Sequence, residues 1–311
     1  MERLANAKDQ ATIAKQAFSY QKEKELRMNN RDDKPQLSFY RPEEHRWWKS
    51  PKKIGIGLGV VAVLGLSYYG YDKFNHYQIE QRVSANQKAD SGKKHKVASH
   101  ADKLANKDIS FDQNTDIPDA ATLQKYRSSS EKLSFDGYIS VPKQNGVTVP
   151  ITPLQINEGA SNKVLAYGAG TVKPNQVMGQ GRYTVAAHNV GYGGGKLMFS
   201  PMQKDSSIDV DKQPKVYLTD MKKIYVYQLN KKSDNPTGKQ SISFKNNGKI
   251  ADDSQVKDGV PEIAMVTCDE DGLVFNWHPE KRLIMIGKLI KTVDVRYATS
   301  SEKSLFPALA E

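Results

Sequence analysis

The fold of this chain is decided by the stretch Ala264-Met265-Val266-Thr267-Cys268-Asp269, which is followed at 281–287 by Lys281-Arg282-Leu283-Ile284-Met285-Ile286-Gly287. β-Branched residues favour a strand in the first stretch, and the acidic turn residues after it end that strand. In the second stretch Arg282, Ile284 and Ile286 share one face by the two-residue period of a strand. We therefore predict two paired strands joined by a long loop, with a thiol ending one strand and a guanidinium near the start of its neighbour.

Cys268 is the only cysteine among 311 residues, so no intrachain disulfide is possible. A positive neighbour such as Arg282 lowers the pKa of a thiol and so favours the thiolate, and an arginine also stabilises a developing oxyanion. The carboxylates of Asp269-Glu270-Asp271, which we interpret as a solvated turn, act in the opposite direction on the pKa of Cys268. The alternative is a buried and inert cysteine that fills the core as a small apolar residue.

The net charge of +11 is spread along the chain. No segment concentrates the excess positive charge, which argues against nucleic-acid binding. A cationic surface is compatible with the anionic polymers of a cell envelope, although a merely solvated surface explains the charge as well. The length allows one or two domains.

An uncharged apolar run at 54–71 predicts one transmembrane helix. Lysines and arginines cluster just before the run, whereas Lys73 alone lies just after it. The positive-inside rule therefore places 1–53 in the cytoplasm and 72–311 outside, as in a single-pass protein of the cell membrane. A cleaved signal peptide is the competing interpretation, but the segment before the apolar run is too long for one.

Residues 72–132 are polar and have few large apolar side chains, which predicts a flexible stalk that holds the next domain away from the bilayer. From 133 the sequence changes to short apolar runs separated by turn residues, which predicts a closed or nearly closed β-barrel at 133–298. The tail 299–311 is too short to be a second span. Besides the two strands above, we predict strands at 138–142, 147–151, 183–188, 216–219, 224–229 and 291–297, and a short helix at 197–202.

A cysteine nucleophile needs a proton carrier, and two of the six histidines lie in the predicted barrel. His188 ends the strand-like run 183–188, and His278 lies in the loop between Cys268 and Arg282. Spacing alone does not separate these two histidines. For either of them a purely structural role is the alternative.

Three segments of the sequence resemble the class A sortases. They are 168–179 leading to Ala186-Ala187-His188-Asn189, Val266-Thr267-Cys268, and Lys281-Arg282. The resemblance covers 133–298. The usual family pattern before the cysteine is Thr-Leu-x-Thr-Cys, and Ala264 and Met265 depart from it by changes that a strand tolerates.

The resemblance implies a mainly β fold, namely an eight-stranded sortase-type β-barrel with short helices. It implies that Cys268 is the nucleophile and that Arg282 binds the oxyanion and the substrate. It favours His188 over His278 as the proton carrier. The residues that it implies to line the substrate groove are Ala186, Val266 and Thr267.

The implied activity is that of a cysteine transpeptidase. Such an enzyme cleaves a Leu-Pro-x-Thr-Gly-like sorting signal of a secreted protein between Thr and Gly through a thioester, and passes the protein to an amine of a peptidoglycan precursor. No cofactor is expected. Some members bind calcium through acidic residues upstream of the histidine, but 172–183 contains no Asp or Glu, so we expect no metal dependence.

Two alternatives to this activity stay open at the level of sequence. An envelope cysteine peptidase would pass the same thioester to water, and a non-enzymatic envelope-binding module would carry an inert Cys268. A pilus-polymerising sortase is a further subtype. It would more often carry a second C-terminal span and a lid before the domain, and the sequence has a pattern for neither.

Overall fold

The computed structural model describes residues 70, 71, 74, 77, 78, 80–112, 117–190, 195–245, 256, 258–270 and 279–310. The predicted cytoplasmic segment 1–53 and almost all of the predicted membrane helix 54–71 lie outside these residues. Within them, no helix combines the length and the apolar character that a membrane crossing requires.

Short helices flank the strands in the described residues. They are α1 (of which 80–91 are described without a gap), α2 (His100–Ala105), α3 (Ala120–Arg127), α4 (Asn162–Tyr167) and α5 (Ser300–Ser304). Side chains cap their beginnings: the oxygens of Ser99, Asp119 and Ser161 accept hydrogen bonds from first-turn amides of α2, α3 and α4. Such caps satisfy backbone donors that a helix leaves without partners, so these residues mark where each helix begins.

Nine strands form one sheet, in the order β6-β5-β1-β2-β3-β4-β8-β9-β7. They are β1 (Phe135–Val141), β2 (Ile151–Asn157), β3 (Gly168–Thr171), β4 (Arg182–Ala187), β5 (Lys215–Thr219), β6 (Lys223–Leu229), β7 (Lys239–Ser243), β8 (Glu262–Cys268) and β9 (Lys281–Asp294). Because β6 also pairs with β9, the eight strands other than β7 close into a barrel. The predicted eight-stranded barrel is confirmed.

The barrel closes because β9 is long. Along one edge it pairs with β8, and along the other it pairs first with β7, from Lys281 to Met285, and then with β6, from Gly287 to Asp294. One continuous strand therefore carries Arg282 and completes the barrel.

Alternation along β4, β8 and β9 divides their apolar side chains between two clusters. The interior cluster receives Tyr183, Val185, Ala187, Ile263, Met265, Leu283 and Met285. The outer cluster consists of Ala186, Ala264, Val266, Ile284 and Ile286, packed with Ala160 and with Val164 and Leu165 of α4. Because neighbouring residues of a strand face opposite sides, both faces of this part of the sheet are apolar and buried.

The flexible stalk predicted over 72–132 needs correction, because residues 80–112 and 117–132 pack on the barrel. Val83 of α1 and Leu123 of α3 join the interior cluster. The hydroxyl of Tyr138 on β1 donates to the main-chain oxygen of Lys93 at 2.6 Å. Arg127 of α3 binds the carboxylate of Asp90 of α1 at 2.6 Å, so the two helices are held together as well.

A buried ion cluster attaches α2 to the barrel in the same way. The ammonium of Lys103 lies 2.5 Å from a carboxylate oxygen of Asp136 on β1 and 2.8 Å from one of Glu158. Burial raises the pKa of Asp136 to about 7, although the positive charge of Lys103 acts to lower it. These attachments are mostly polar, which is why a search for apolar periodicity misses them.

Candidate active site

The ends of three neighbouring strands bring the predicted catalytic residues together. Cys268 and Arg282 are direct partners in the antiparallel β8–β9 ladder. β4 and β8 run parallel with Ala186 opposite Val266, and His188 and Cys268 each lie two residues further on. Since side chains two residues apart share a face, these three side chains belong to the outer face of the sheet, beside the outer cluster.

Two electrostatic interactions link the three groups. The positive charge of Arg282 acts to lower the pKa of His188. Cys268 acts to raise the pKa of Arg282, against the larger effect of burial. All three residues are buried, with exposed fractions of 6% for Cys268, 3% for His188 and 2% for Arg282. Charges at this place therefore interact through protein rather than through water.

His188 is a neutral imidazole near neutral pH. Burial, assisted by Arg282, lowers its pKa to about 4. The ring of Tyr126, from α3, stacks on the imidazole with a centroid distance of 6.5 Å and an interplanar angle of 24°. The Nε2 atom is buried and makes no hydrogen bond with any described residue. A buried imidazole nitrogen without a partner is available to a proton or to a substrate atom.

The guanidinium of Arg282 is held by main-chain oxygens and by an aromatic ring. Its Nη1 atom donates to the carbonyls of Pro279 and Lys281, each at 3.0 Å. Its central carbon lies 4.3 Å from the ring centre of Phe244, which follows β7. These contacts fix the plane of the guanidinium, and a planar donor group of fixed orientation suits the binding of an oxyanion.

Two of the predicted groove residues share the face of the sheet that carries Cys268, and the side chain of the third faces the other way. Ala186 and Val266 belong to the outer cluster. Thr267 lies between Val266 and Cys268, so it faces the opposite side of the sheet, and its hydroxyl donates to the main-chain oxygen of Ala187 at 2.9 Å. The alternation of the strand therefore turns the side chain of Thr267 away from the face that carries Cys268. His278 lies outside the described residues.

Sequence reasoning missed four residues that contact the site: Tyr126 over His188, Phe244 over Arg282, and Asn189 and Gln203 at the backbone of Cys268. Only Asn189 carried a signal, because it is the neighbour of His188 in the chain. The other three come from distant segments, and no local pattern marks them.

Two cavities in the described part of the chain lie away from the three predicted catalytic residues. A cavity of about 460 Å³ is lined by His100, Lys103, Asp136 and Tyr183 among others, and a second of about 440 Å³ surrounds His95. Neither is lined by Cys268, His188 or Arg282. In the ranges that the structure describes, no group of three or more His, Cys, Asp or Glu side chains is arranged to hold a metal ion.

The chain is similar to several proteins of one family. A family model described as "Sortase domain" matches residues 139–290. Sortase A of Streptococcus agalactiae is 30% identical over 266 residues, which cover 84% of this chain and 90% of that protein. Sortase A of Listeria monocytogenes is 27% identical over 212 residues, covering 68% of this chain and 81% of that protein. The solved structure of Listeria monocytogenes sortase A, at 26% identity and a TM-score of 0.42, covers 56% of this chain and 97% of its own.

Proposed function

Because this chain belongs to the sortase family, and to class A by its named relatives, we propose that it cleaves a Leu-Pro-x-Thr-Gly-like sorting signal. The family consists of cysteine transpeptidases that act on proteins of the cell wall. For this chain, the bond cleaved is the one between Thr and Gly, and the acyl group is carried as a thioester on Cys268. An amine of a peptidoglycan precursor then receives the protein.

One observation carries the proposal: Cys268 lies directly across the ladder from Arg282, and His188 directly follows β4, the strand on the other side of β8. A nucleophile, a positive charge and a proton carrier are the parts that acyl transfer needs. Ala186 and Val266 on the same face offer an apolar surface to the Leu-Pro part of the signal.

In the first half of the reaction, the thiol of Cys268 gives its proton to Nε2 of His188, and the sulfur attacks the carbonyl carbon of Thr. Arg282 stabilises the negative charge that develops on the carbonyl oxygen. His188 then donates the proton to the nitrogen of Gly as the carbon–nitrogen bond breaks. The products are a thioester on Cys268 and a free amine.

The second half reverses these roles. The incoming amine attacks the thioester carbonyl and loses a proton to His188, and the carbon–sulfur bond breaks. The sulfur leaves as a thiolate and takes the proton back from His188. The pKa of about 4 of His188 suits a group that is neutral between turnovers, and a thiolate nearby favours its protonated form during them.

The proposal extends to location. The apolar run 54–71 anchors the chain in the membrane once, with 1–53 in the cytoplasm and the barrel outside, where secreted proteins and wall precursors meet. The catalytic domain corresponds to 133–298, and 80–132 is an N-terminal extension of the same folded unit.

The test is a thioester trap with a Leu-Pro-x-Thr-Gly peptide, with and without an added amine. We expect the parent to form an adduct and to release it as the amide of the added amine, and Cys268→Ala to form none. An adduct that survives Cys268→Ala would refute the assignment. Release to water alone, unaffected by the amine, would identify a peptidase. A native thiol that is labelled only after unfolding would identify an inert binding module.

A further inference from the structure

The backbone at Cys268 is held by a side chain where the β-ladder ends. The Nε2 atom of Gln203 donates to the main-chain oxygen of Cys268 at 2.6 Å, and its Oε1 atom accepts from the amide of Glu270 at 3.3 Å. A parallel neighbouring strand makes the same pattern of hydrogen bonds, to a carbonyl and from an amide two residues further along the chain. The amide of Gln203 therefore continues the pairing of β8 after β4 has ended.

A second amide binds the same carbonyl. The Nδ2 atom of Asn189 donates to a carboxylate oxygen of Glu270 at 2.9 Å and lies 3.4 Å from the main-chain oxygen of Cys268. Asn189 is 1% exposed, so its amide is shielded from competing water. Because Asn189 follows His188 in the chain, it links the segment of the imidazole to the segment of the thiol.

The turn that carries Gln203 is itself attached to the histidine segment. Gln203 ends the short 3₁₀-helix Ser200–Gln203. The amide of Phe199 donates to the main-chain oxygen of His188 at 3.2 Å, and the amide of Val190 donates to the hydroxyl of Ser200 at 2.8 Å. The carbonyl of Cys268 is thus fixed in relation to the backbone of His188.

We propose that Gln203 and Asn189 are positioning residues for the acyl-transfer step, an inference that rests on the proposed function. By fixing the peptide plane after Cys268, they set the direction of its side chain toward His188 and Arg282. Their amides contact main chain rather than sulfur, so they act through Cys268 and not on the substrate. A misplacement of reacting groups by about 1 Å is enough to slow a reaction about 100-fold. These hydrogen bonds therefore affect the rate of acyl transfer more than the binding of the substrate.

The decisive variant is Gln203→Met, which keeps the length of the side chain and removes both hydrogen bonds. Gln144→Met is the matched control, because Gln144 clasps the carbonyl and the amide of Lys215 at 2.8 and 3.0 Å on β5, a strand that does not adjoin β4 or β8. Both glutamines are half-buried. Each substitution therefore removes one bond to a carbonyl and one from a main-chain amide, beside the thiol for Gln203 and away from it for Gln144, whose Nε2 atom also lies 3.3 Å from the main-chain oxygen of Pro142.

We expect Gln203→Met to lower kcat for thioester formation about tenfold or more, with KM changed less than about twofold. The pH at which the thiol of Cys268 becomes reactive toward an alkylating reagent should also rise in this variant, because a displaced thiolate loses Arg282 as its positive neighbour. Gln144→Met should keep both properties of the parent. Asn189→Ala should repeat the loss of kcat in a weaker form, since its contact with the carbonyl is longer.

A parent-like kcat in Gln203→Met would overturn the inference, as would an equal loss in Gln144→Met. Should Gln203→Met fail to fold, Asn189→Ala provides the test, and a parent-like kcat in that variant would overturn the inference. A parent that forms no adduct at all would instead overturn the proposed function, so the two failures are distinguishable.

Discussion

Cys268 and Arg282 face each other as direct cross-strand partners in the ladder between β8 and β9. Side chains in such a pair start about 5 Å apart and need no loop to bring them together. The barrel itself therefore sets the distance between the sulfur and the guanidinium. Arg282 is further held by two carbonyls and by the ring of Phe244.

We first predict that Arg282→Lys slows thioester formation nearly as much as Arg282→Ala, by about 100-fold or more. Lysine keeps the charge but offers no planar group that bonds two carbonyls and stacks on Phe244 at the same time. Single-turnover rates with the sorting-signal peptide measure the effect. Lys291→Met, on the same strand but at an exposed position, is the control and should leave the rate unchanged. A fully active Arg282→Lys would show that charge alone is sufficient.

Our second prediction concerns stability and pH. His188 has a folded-state pKa of about 4, against 6.5 for an ordinary histidine. Between these values the unfolded chain binds a proton that the folded chain does not, so this contribution to stability is present above pH 6.5 and is lost as the pH falls toward 4. Urea unfolding at about pH 7.5 and 4.5 should show that the parent loses about 2–3 kcal/mol more than His188→Gln.

Asp136 changes the stability with pH in the opposite direction to His188. Both the parent and His188→Gln contain Asp136, so its effect cancels when the two proteins are compared. Its folded-state pKa of about 7 lies above 3.8, so the folded chain keeps a proton that the unfolded chain releases, and stability is lost as the pH rises through this window. Asp136→Asn should remove the loss of stability at rising pH, while the loss of stability at falling pH that His188 causes should remain. Equal pH dependence of the parent and His188→Gln would contradict the assignment of a low pKa to His188.

The third prediction is that Tyr126→Ala raises the pKa of His188 toward its ordinary value. The Tyr126 ring stacks on the imidazole, and its removal admits water, which favours the charged form. Tyr126→Phe keeps the ring and should keep the low pKa. NMR titration of the His188 ring proton measures both. If Tyr126→Ala titrates like the parent, other groups desolvate the histidine.

The fourth prediction tests whether 80–132 is a folded part of the domain. Leu123 on α3 is 1% exposed and Leu104 on α2 is 73% exposed. We expect Leu123→Ala to cost about 2–5 kcal/mol of unfolding free energy and Leu104→Ala less than about 0.5 kcal/mol. Urea unfolding of the two variants gives the comparison. A solvated stalk would give small effects for both.

The fifth prediction concerns the buried ion pair of Arg182 and Glu262, which joins β4 to β8 at the end away from the thiol. Both Nε and Nη2 of Arg182 donate to one oxygen of Glu262, at 2.8 and 2.6 Å. Arg182→Met leaves a buried carboxylate without this partner and should cost about 3–5 kcal/mol. Lys232→Met breaks the exposed pair with Asp205 and should cost less than about 1 kcal/mol. Equal costs would show that burial does not strengthen the pair.

The sequence was informative where local pattern and fold agree. Alternation in 281–287 and the turn after Cys268 predicted the β8–β9 pair, and the structure pairs these strands. The predicted strands at 183–188, 216–219 and 224–229 correspond to β4, β5 and β6. The segment 291–297, predicted as a separate strand, is the last part of β9 followed by a 3₁₀ turn.

The sequence did not predict the strands and contacts that depend on tertiary structure. β3, Gly-Ala-Gly-Thr, has only Thr171 as a residue that favours strands, and it forms because it lies between β2 and β4. Gly170 is needed there for space, since a Cβ atom would lie 2.1 Å from the main-chain oxygen of Gly159. β7 is a largely polar strand, and its partner among the described strands is β9. Contacts such as that of Gln203 with Cys268 join residues 65 positions apart, and no local period encodes them.

The length of β9 has a consequence for how this enzyme tolerates change. Between Arg282 and the start of the pairing with β6 at Gly287, the chain has no loop in which an extra residue is absorbed. An insertion or deletion of one residue there would turn the guanidinium to the interior of the barrel, or would shift the register of the β6–β9 pairing that closes the barrel. Engineers who graft new specificity onto this scaffold should therefore vary the connections between strands and leave the residue count of this segment untouched.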